Sequence, residues 1–212
     1  MILDWRIGFA VYLLFSTFLV VLVVGAPVAA LLGHDNIASA LYNAAKPLCH
    51  QWIYRSQCIL DNGKYWVFDD CIPQSTQSNV IVETKYSSSF RGFDGYFRYS
   101  RDQIGINRAE HVIRDGMEGY KIAVCSRDFF MYLGLLIAAP AYLLLRKRIT
   151  TLPSMIYLLI ALVPMGIDGT GQLLGFWEST NLVRSATGLI VGIVMGYYLV
   201  FLTCEIFDRK RT

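Results

Sequence analysis

The sequence predicts an α-helical membrane protein: a four-transmembrane-helix bundle with a small α+β extracytoplasmic insert between helices 1 and 2. Three observations lead there. Of the 212 residues 55% are hydrophobic and the mean hydropathy is +0.43, too apolar for an ordinary soluble domain. The apolar residues are gathered into four long runs rather than spread. Two of the runs end in tight basic clusters, Arg146-Lys147-Arg148 and Arg209-Lys210-Arg211.

The first run, 7–32, exceeds the roughly 20 apolar residues a crossing requires. A cleaved signal peptide is the rival reading, but its apolar core spans only about 7–15 residues behind a basic start. This start, Met1-Ile2-Leu3-Asp4-Trp5-Arg6, is barely basic, so a retained helix is expected. Pro27 stands inside it, and such prolines are tolerated in membrane helices. The second run is 129–145. The third, 152–174, is opened by Pro153 and loosened by Pro164, Gly166, Gly169 and Gly171. The fourth is 182–207. Short basic flanks stay on the cytoplasmic side, which puts both basic clusters inside. With four crossings of a cell membrane, both termini are then cytoplasmic, and residues 33–127 and the turn at 175–181 are outside.

The outer segment begins with an amphipathic helix over 36–46, capped by Asn36 and ended by Pro47. From Gln57 to Lys121 the composition turns polar and aromatic. Residues 65–68, 79–84 and 95–99 read as strands, with Asn62-Gly63 and Asp94-Gly95 as turn signals. Residues 107–117 read as a short helix. The division is thus 1–56 for the first crossing plus outer helix, 57–121 for the insert, and 122–212 for the last three crossings. Cys58 and Cys71 flank the first expected strand and could form a disulfide outside the cytoplasm, a pairing that spacing alone does not prove.

Five polar clusters converge on the outer helix ends in this topology. They are Cys49-His50-Gln51, Arg55-Ser56, Cys125-Ser126-Arg127-Asp128, Asp168-Gly169 with Gln172, and Glu178-Ser179 with Asn181 and Arg184. Ionisable groups at membrane depth are costly and usually face a protein interior or a wet cavity. Cys125 and Asp128, three apart, share a helix face, as do Asp168 and Gln172, four apart. Arg184 lies near the stripe Gly188, Gly192, Gly196, a small-xxx-small pattern that admits a close helix neighbour. It could meet Asp168 or Glu178 as a buried pair.

Together these motifs, with Cys125-x-x-Asp128-x3-Tyr132-x-Gly134 and Thr187-Gly188, resemble a family of small prokaryotic integral membrane proteins of unknown function. The resemblance covers about 41–68 and 124–196. It implies a membrane protein and no established reaction. It also implies that many members carry Cys-x-x-Cys where this chain has Cys125 and Asp128, and join the two halves by a short turn where this chain has its insert.

Three chemistries fit the constellation. In the first, Cys49, His50, Cys125 and Asp128 are metal ligands, with zinc or another transition metal as cofactor. An open position would activate water, with Asp168 or Glu178 as general base, in a hydrolytic or lipid-directed reaction. The second is thiol–disulfide redox at the outer face, weakened by the lack of any Cys-x-x-Cys. The third is anion or lipid-headgroup binding by Arg55, Arg127 and Arg184, with Ser56, Ser126, Gln172 and Asn181 adding neutral hydrogen bonds. Against all three stands a non-catalytic membrane subunit or scaffold held by ion pairs and disulfides. His34 and His111 are expected at the surface and Cys204 in apolar packing. The expected partner is the lipid bilayer. Gly169-Thr170-Gly171 lacks the lysine of a nucleotide loop, and nothing resembles a nucleic-acid surface.

Overall fold

Among the described residues, helix α1 (Trp5–Leu31) is followed by α2 (Asp35–Ala45), a five-stranded sheet, and helices α3 (Ser126–Leu145), α4 (Ile156–Leu173) and α5 (Asn181–Asp208). The strands are β1 (Gln57–Asp61), β2 (Trp66–Asp70), β3 (Val80–Glu83), β4 (His111–Arg114) and β5 (Met117–Lys121). This computed structural model describes residues 4–49, 52–72, 80–83 and 110–208. Helices α1, α3, α4 and α5 are long and apolar enough to cross a membrane. Two compact units emerge, one of residues 1–20 with 127–212 and one of residues 21–126.

In the first unit, α3 and α5 run in the same direction at very short range. A Cβ on Gly188 would lie 2.2 Å from the Arg127 carbonyl oxygen, and one on Gly192 would lie 2.2 Å from that of Met131. Gly134 returns the contact, its added Cβ falling 2.7 Å from the Ile193 nitrogen. This is the close approach that the glycine stripe predicts. It lets backbones touch where apolar burial gives no drive, since lipid tails are as apolar as the side chains. The start of α1 joins through Tyr12, whose hydroxyl donates to the Leu135 carbonyl at 2.6 Å. Below it, Tyr142, Tyr197, Val200 and Cys204 form a buried cluster, which places Cys204 in packing as expected. Only Ala161, Asp168 and Gly171 of α4 are buried. The rest of that helix turns apolar side chains outward, as a lipid-facing helix does.

In the second unit the sheet is antiparallel throughout, in the order β2-β1-β5-β4-β3. Ile53, Tyr54, Leu60, Ile72 and Val112 surround a disulfide between Cys58 and Cys71. The Asn62-Gly63 turn stands where expected, with Asn62 Oδ1 accepting from the Lys64 and Tyr65 amides. On the helical side, Ala29, Ala30 and Ala38 pack on Tyr120, and Tyr42 Oη donates to the Lys121 carbonyl at 2.6 Å.

Several expectations are corrected. Asn36 lies inside the first turn of α2; His34 holds the capping position and makes no side-chain cap. The helix expected over 107–117 is a hairpin in its described part. Strands β4 and β5 are joined at Asp115-Gly116, both with positive φ (51° and 81°), as a type I′ turn demands. Strand β1 was not anticipated. His111 is buried rather than at the surface: its Nε2 is 3.0 Å from Glu118 Oε1, and its ring packs on Tyr120. The strand over 95–99 and its Asp94-Gly95 turn fall outside the described residues.

Candidate thiol and carboxylate site

Cys49 follows a 3-10 turn (Lys46–Leu48) that extends α2 and ends in extended backbone. Pro47 inside this turn cannot supply the amide that a longer α-helix would need, so the chain leaves the helix here. Cys125 stands directly before α3, and its backbone N–H donates to Cys49 Sγ at 3.4 Å. Both cysteines are half-buried and neither is in a disulfide. Asp128 lies in the first turn of α3, one turn on from Cys125. The Cys49 and Cys125 sulfurs lie within 4.8 Å of one another. Tetrahedral zinc holds its donors about 3.5–3.8 Å apart, so a small contraction would bring the two sulfurs to the spacing an ion needs. Two thiols and a carboxylate are donors zinc accepts, and a fourth position would remain. His50 and Gln51 fall outside the described residues.

Arg55 and Ser56 serve the local bend. The Arg55 guanidinium sits 4.7 Å above the Trp52 ring and 5.1 Å from that of Tyr54, within cation–π range. Ser56 is buried, and its hydroxyl donates to the Trp52 carbonyl at 2.8 Å.

A second polar group lies within the helical unit. Asp168, 6% exposed, is the hub. One carboxylate oxygen is paired with Arg127 and also accepts from Gln172 Nε2 at 3.0 Å. The other accepts from Trp177 Nε1 at 3.4 Å. Gln172 passes the chain on: its Oε1 accepts from Arg184 at 2.8 Å, and Arg184 also donates to Asn181 Oδ1 at 3.2 Å. Asp168 and Gln172 thus share a helix face, as their spacing predicts. The ion pair with Asp168 is made by Arg127, while Arg184, which could have met Asp168 or Glu178, bonds to Gln172 and Asn181. Glu178 is exposed and joins none of these bonds, while Ser179 beside it is buried.

Trp177 was not anticipated. Gly175, with φ of +76°, ends α4: its amide donates to Gln172 O and that of Phe176 to Gly171 O. That pair of bonds is a Schellman motif and turns the chain back on the helix. The Trp177 ring therefore lies flush on Gly171, where an added Cβ would fall 2.1 Å from it, and its N–H reaches Asp168. The signal for this was the sequence itself: a residue with free φ at a helix end, followed two places on by an aromatic donor.

A family model described as predicted membrane protein (DUF2085) matches residues 113–198, which hold Cys125, Asp128 and the whole Asp168 group. An uncharacterised protein of Methanocaldococcus jannaschii is 40% identical over 93 residues, covering 43% of this chain and 60% of that protein. An uncharacterised protein of Methanothermobacter thermautotrophicus is 37% identical over 75 residues, 35% of this chain and 67% of that protein. This chain therefore spans less than two thirds of the first relative's length and about two thirds of the second's. No solved structure matches it.

Proposed function

The chain belongs to the DUF2085 family of predicted membrane proteins, and from that premise we propose that it binds a thiolate-preferring transition metal, zinc first, at the outer face of the membrane. Cys49, Cys125 and Asp128 are the ligands. The observation that carries this reading is the approach of the two sulfurs to within 4.8 Å, with the Cys125 amide already bonded to Cys49 sulfur and Asp128 three residues on from Cys125. A metal needs thiolates and carboxylates as anions, and burial of such groups together without a cation would be repulsive. His50 adjoins Cys49 in sequence and is the fourth donor that chemistry suggests.

A zinc ion with an open position would supply an activated water. Of the two acids considered as its base, Asp168 is occupied by three donors, whereas Glu178 is open to solvent. The second reading, a non-catalytic subunit, is favoured by the Asp168 group. It ties α3, α4 and α5 together through internal bonds, as a helix lock does. Binding of an anionic headgroup ranks lower, because Arg127 and Arg184 are engaged with Asp168, Gln172 and Asn181, and Arg55 with aromatic rings.

The outward placement rests on two supports. Arg146-Lys147-Arg148 follows α3, and Arg209-Lys210-Arg211 follows α5, which favours cytoplasmic ends there. The Cys58–Cys71 disulfide favours an oxidising side for residues 33–127. The insert at 57–121 would then be an outer module between the crossing segments 1–56 and 122–212.

Elemental analysis of the detergent-purified full chain after zinc exposure and dialysis tests the metal. We expect stoichiometric zinc in the wild type, none in Cys125→Ser, and weakened retention in Asp128→Asn. A wild type that holds no metal ends this reading.

A further inference from the structure

Building on that metal site, we infer that it is redox-gated: the bound ion and a Cys49–Cys125 disulfide are alternative states of the same two sulfurs. Four cysteines of this chain lie in the unit of residues 21–126. Two of them, Cys58 and Cys71, are joined and fully buried in the sheet core. The other two remain thiols although their sulfurs lie within 4.8 Å. A side of the membrane that maintains one disulfide does not by itself leave a neighbouring thiol pair reduced. Coordination does so, since the sulfur lone pairs are then committed to the metal.

The pair is also placed to react. Both residues are half-buried, within reach of a small oxidant, in contrast to Cys58, Cys71 and the buried Cys204. Closure needs only a modest further approach of two sulfurs already tethered through the Cys125 amide. The oxidant is hydrogen peroxide. One thiolate sulfur attacks the peroxide oxygen, breaks the O–O bond and becomes a sulfenic acid, releasing hydroxide. The second thiolate attacks that sulfur, forming the S–S bond and expelling a second hydroxide. Two protons convert the hydroxides to two waters. The sulfurs give up two electrons, the peroxide takes them, and the ion leaves as Zn2+ because Asp128 alone does not hold it.

The experiment uses the zinc-loaded full chain in detergent, titrated with hydrogen peroxide. Released zinc is followed with a chromogenic chelator, and the product is digested without reduction for peptide mass mapping. We expect zinc release in step with a Cys49–Cys125 cross-linked peptide lighter by two hydrogens, and recovery of zinc binding after thiol reduction. The Cys58–Cys71 peptide serves as an internal control, unchanged throughout. Zinc retained by an unlinked pair, or zinc lost with sulfinic acids and no cross-link, overturns the gating while leaving the metal reading intact. If zinc does not bind at the outset, the metal reading fails and the gating with it, whether or not peroxide links the pair.

Discussion

Asp168 shows what a single buried charge demands of its neighbours. A carboxylate so enclosed needs a cation and hydrogen bonds to every lone pair that water would have served. Arg127, Gln172 and Trp177 meet that demand from two helices and the turn after α4. Removing the cation leaves the carboxylate buried and uncompensated. Arg127→Ala should therefore cost about 3–5 kcal/mol of unfolding free energy in detergent. Replacing both partners, as in Arg127→Met with Asp168→Leu, should recover most of that loss, since an apolar pair of similar size has no charge to desolvate. Denaturant unfolding of the single and double variants measures both. A double variant as unstable as the single would show that Arg127 stabilises the helices by some route other than Asp168.

At the scale of elements, the seam between α3 and α5 is set by backbone contact. A side chain at Gly192 has no room, because the Met131 carbonyl occupies its Cβ position, whereas among the described residues nothing lies within 4 Å of a Cβ on Gly166 in α4. Gly192→Val should destabilise the helical unit by about 1–3 kcal/mol through forced separation of the helices. Gly166→Ala should be neutral or slightly stabilising, as alanine is the better helix former. Thermal unfolding of the two variants side by side checks this, and equal effects would refute the seam. The stripe of Gly188, Gly192 and Gly196 was legible from its four-residue spacing, but the helix it meets was not. The partner of Asp168 is hidden for the same reason: choosing between Arg127 and Arg184 needs the parallel packing of α3 and α5. In the sheet, β4 and β5 were hidden by a short apolar spacing that also fits a helix. The Asp115-Gly116 pair was the better signal, because Asp-Gly favours the two positive φ values of a type I′ hairpin turn. The approach of Cys49 to Cys125, 76 residues apart, was suggested by their chemistry alone and by no local pattern.

For the whole molecule, four spans of sufficient length are a matter of composition and could be read directly from the sequence. Orientation depends on which flank resists translocation, so it rests on few residues. An even number of crossings returns the chain to the side where α1 began, and the basic residues after α3 then decide which side that is. If they are cytoplasmic, the disulfide and the thiol pair share the outer face, where the proposed metal binding and peroxide oxidation would take place. A cysteine at the exposed Lys64, in the β1–β2 turn, and one at the exposed Lys147, after α3, report the two sides independently. In intact cells, a membrane-impermeant maleimide should label Lys64→Cys above the wild-type background, while Lys147→Cys should require permeabilisation. The opposite pattern would put the sheet in the cytoplasm, where glutathione keeps such thiols reduced. The Cys58–Cys71 bond would then need another explanation, and the redox gate would lose the oxidising surroundings on which it depends.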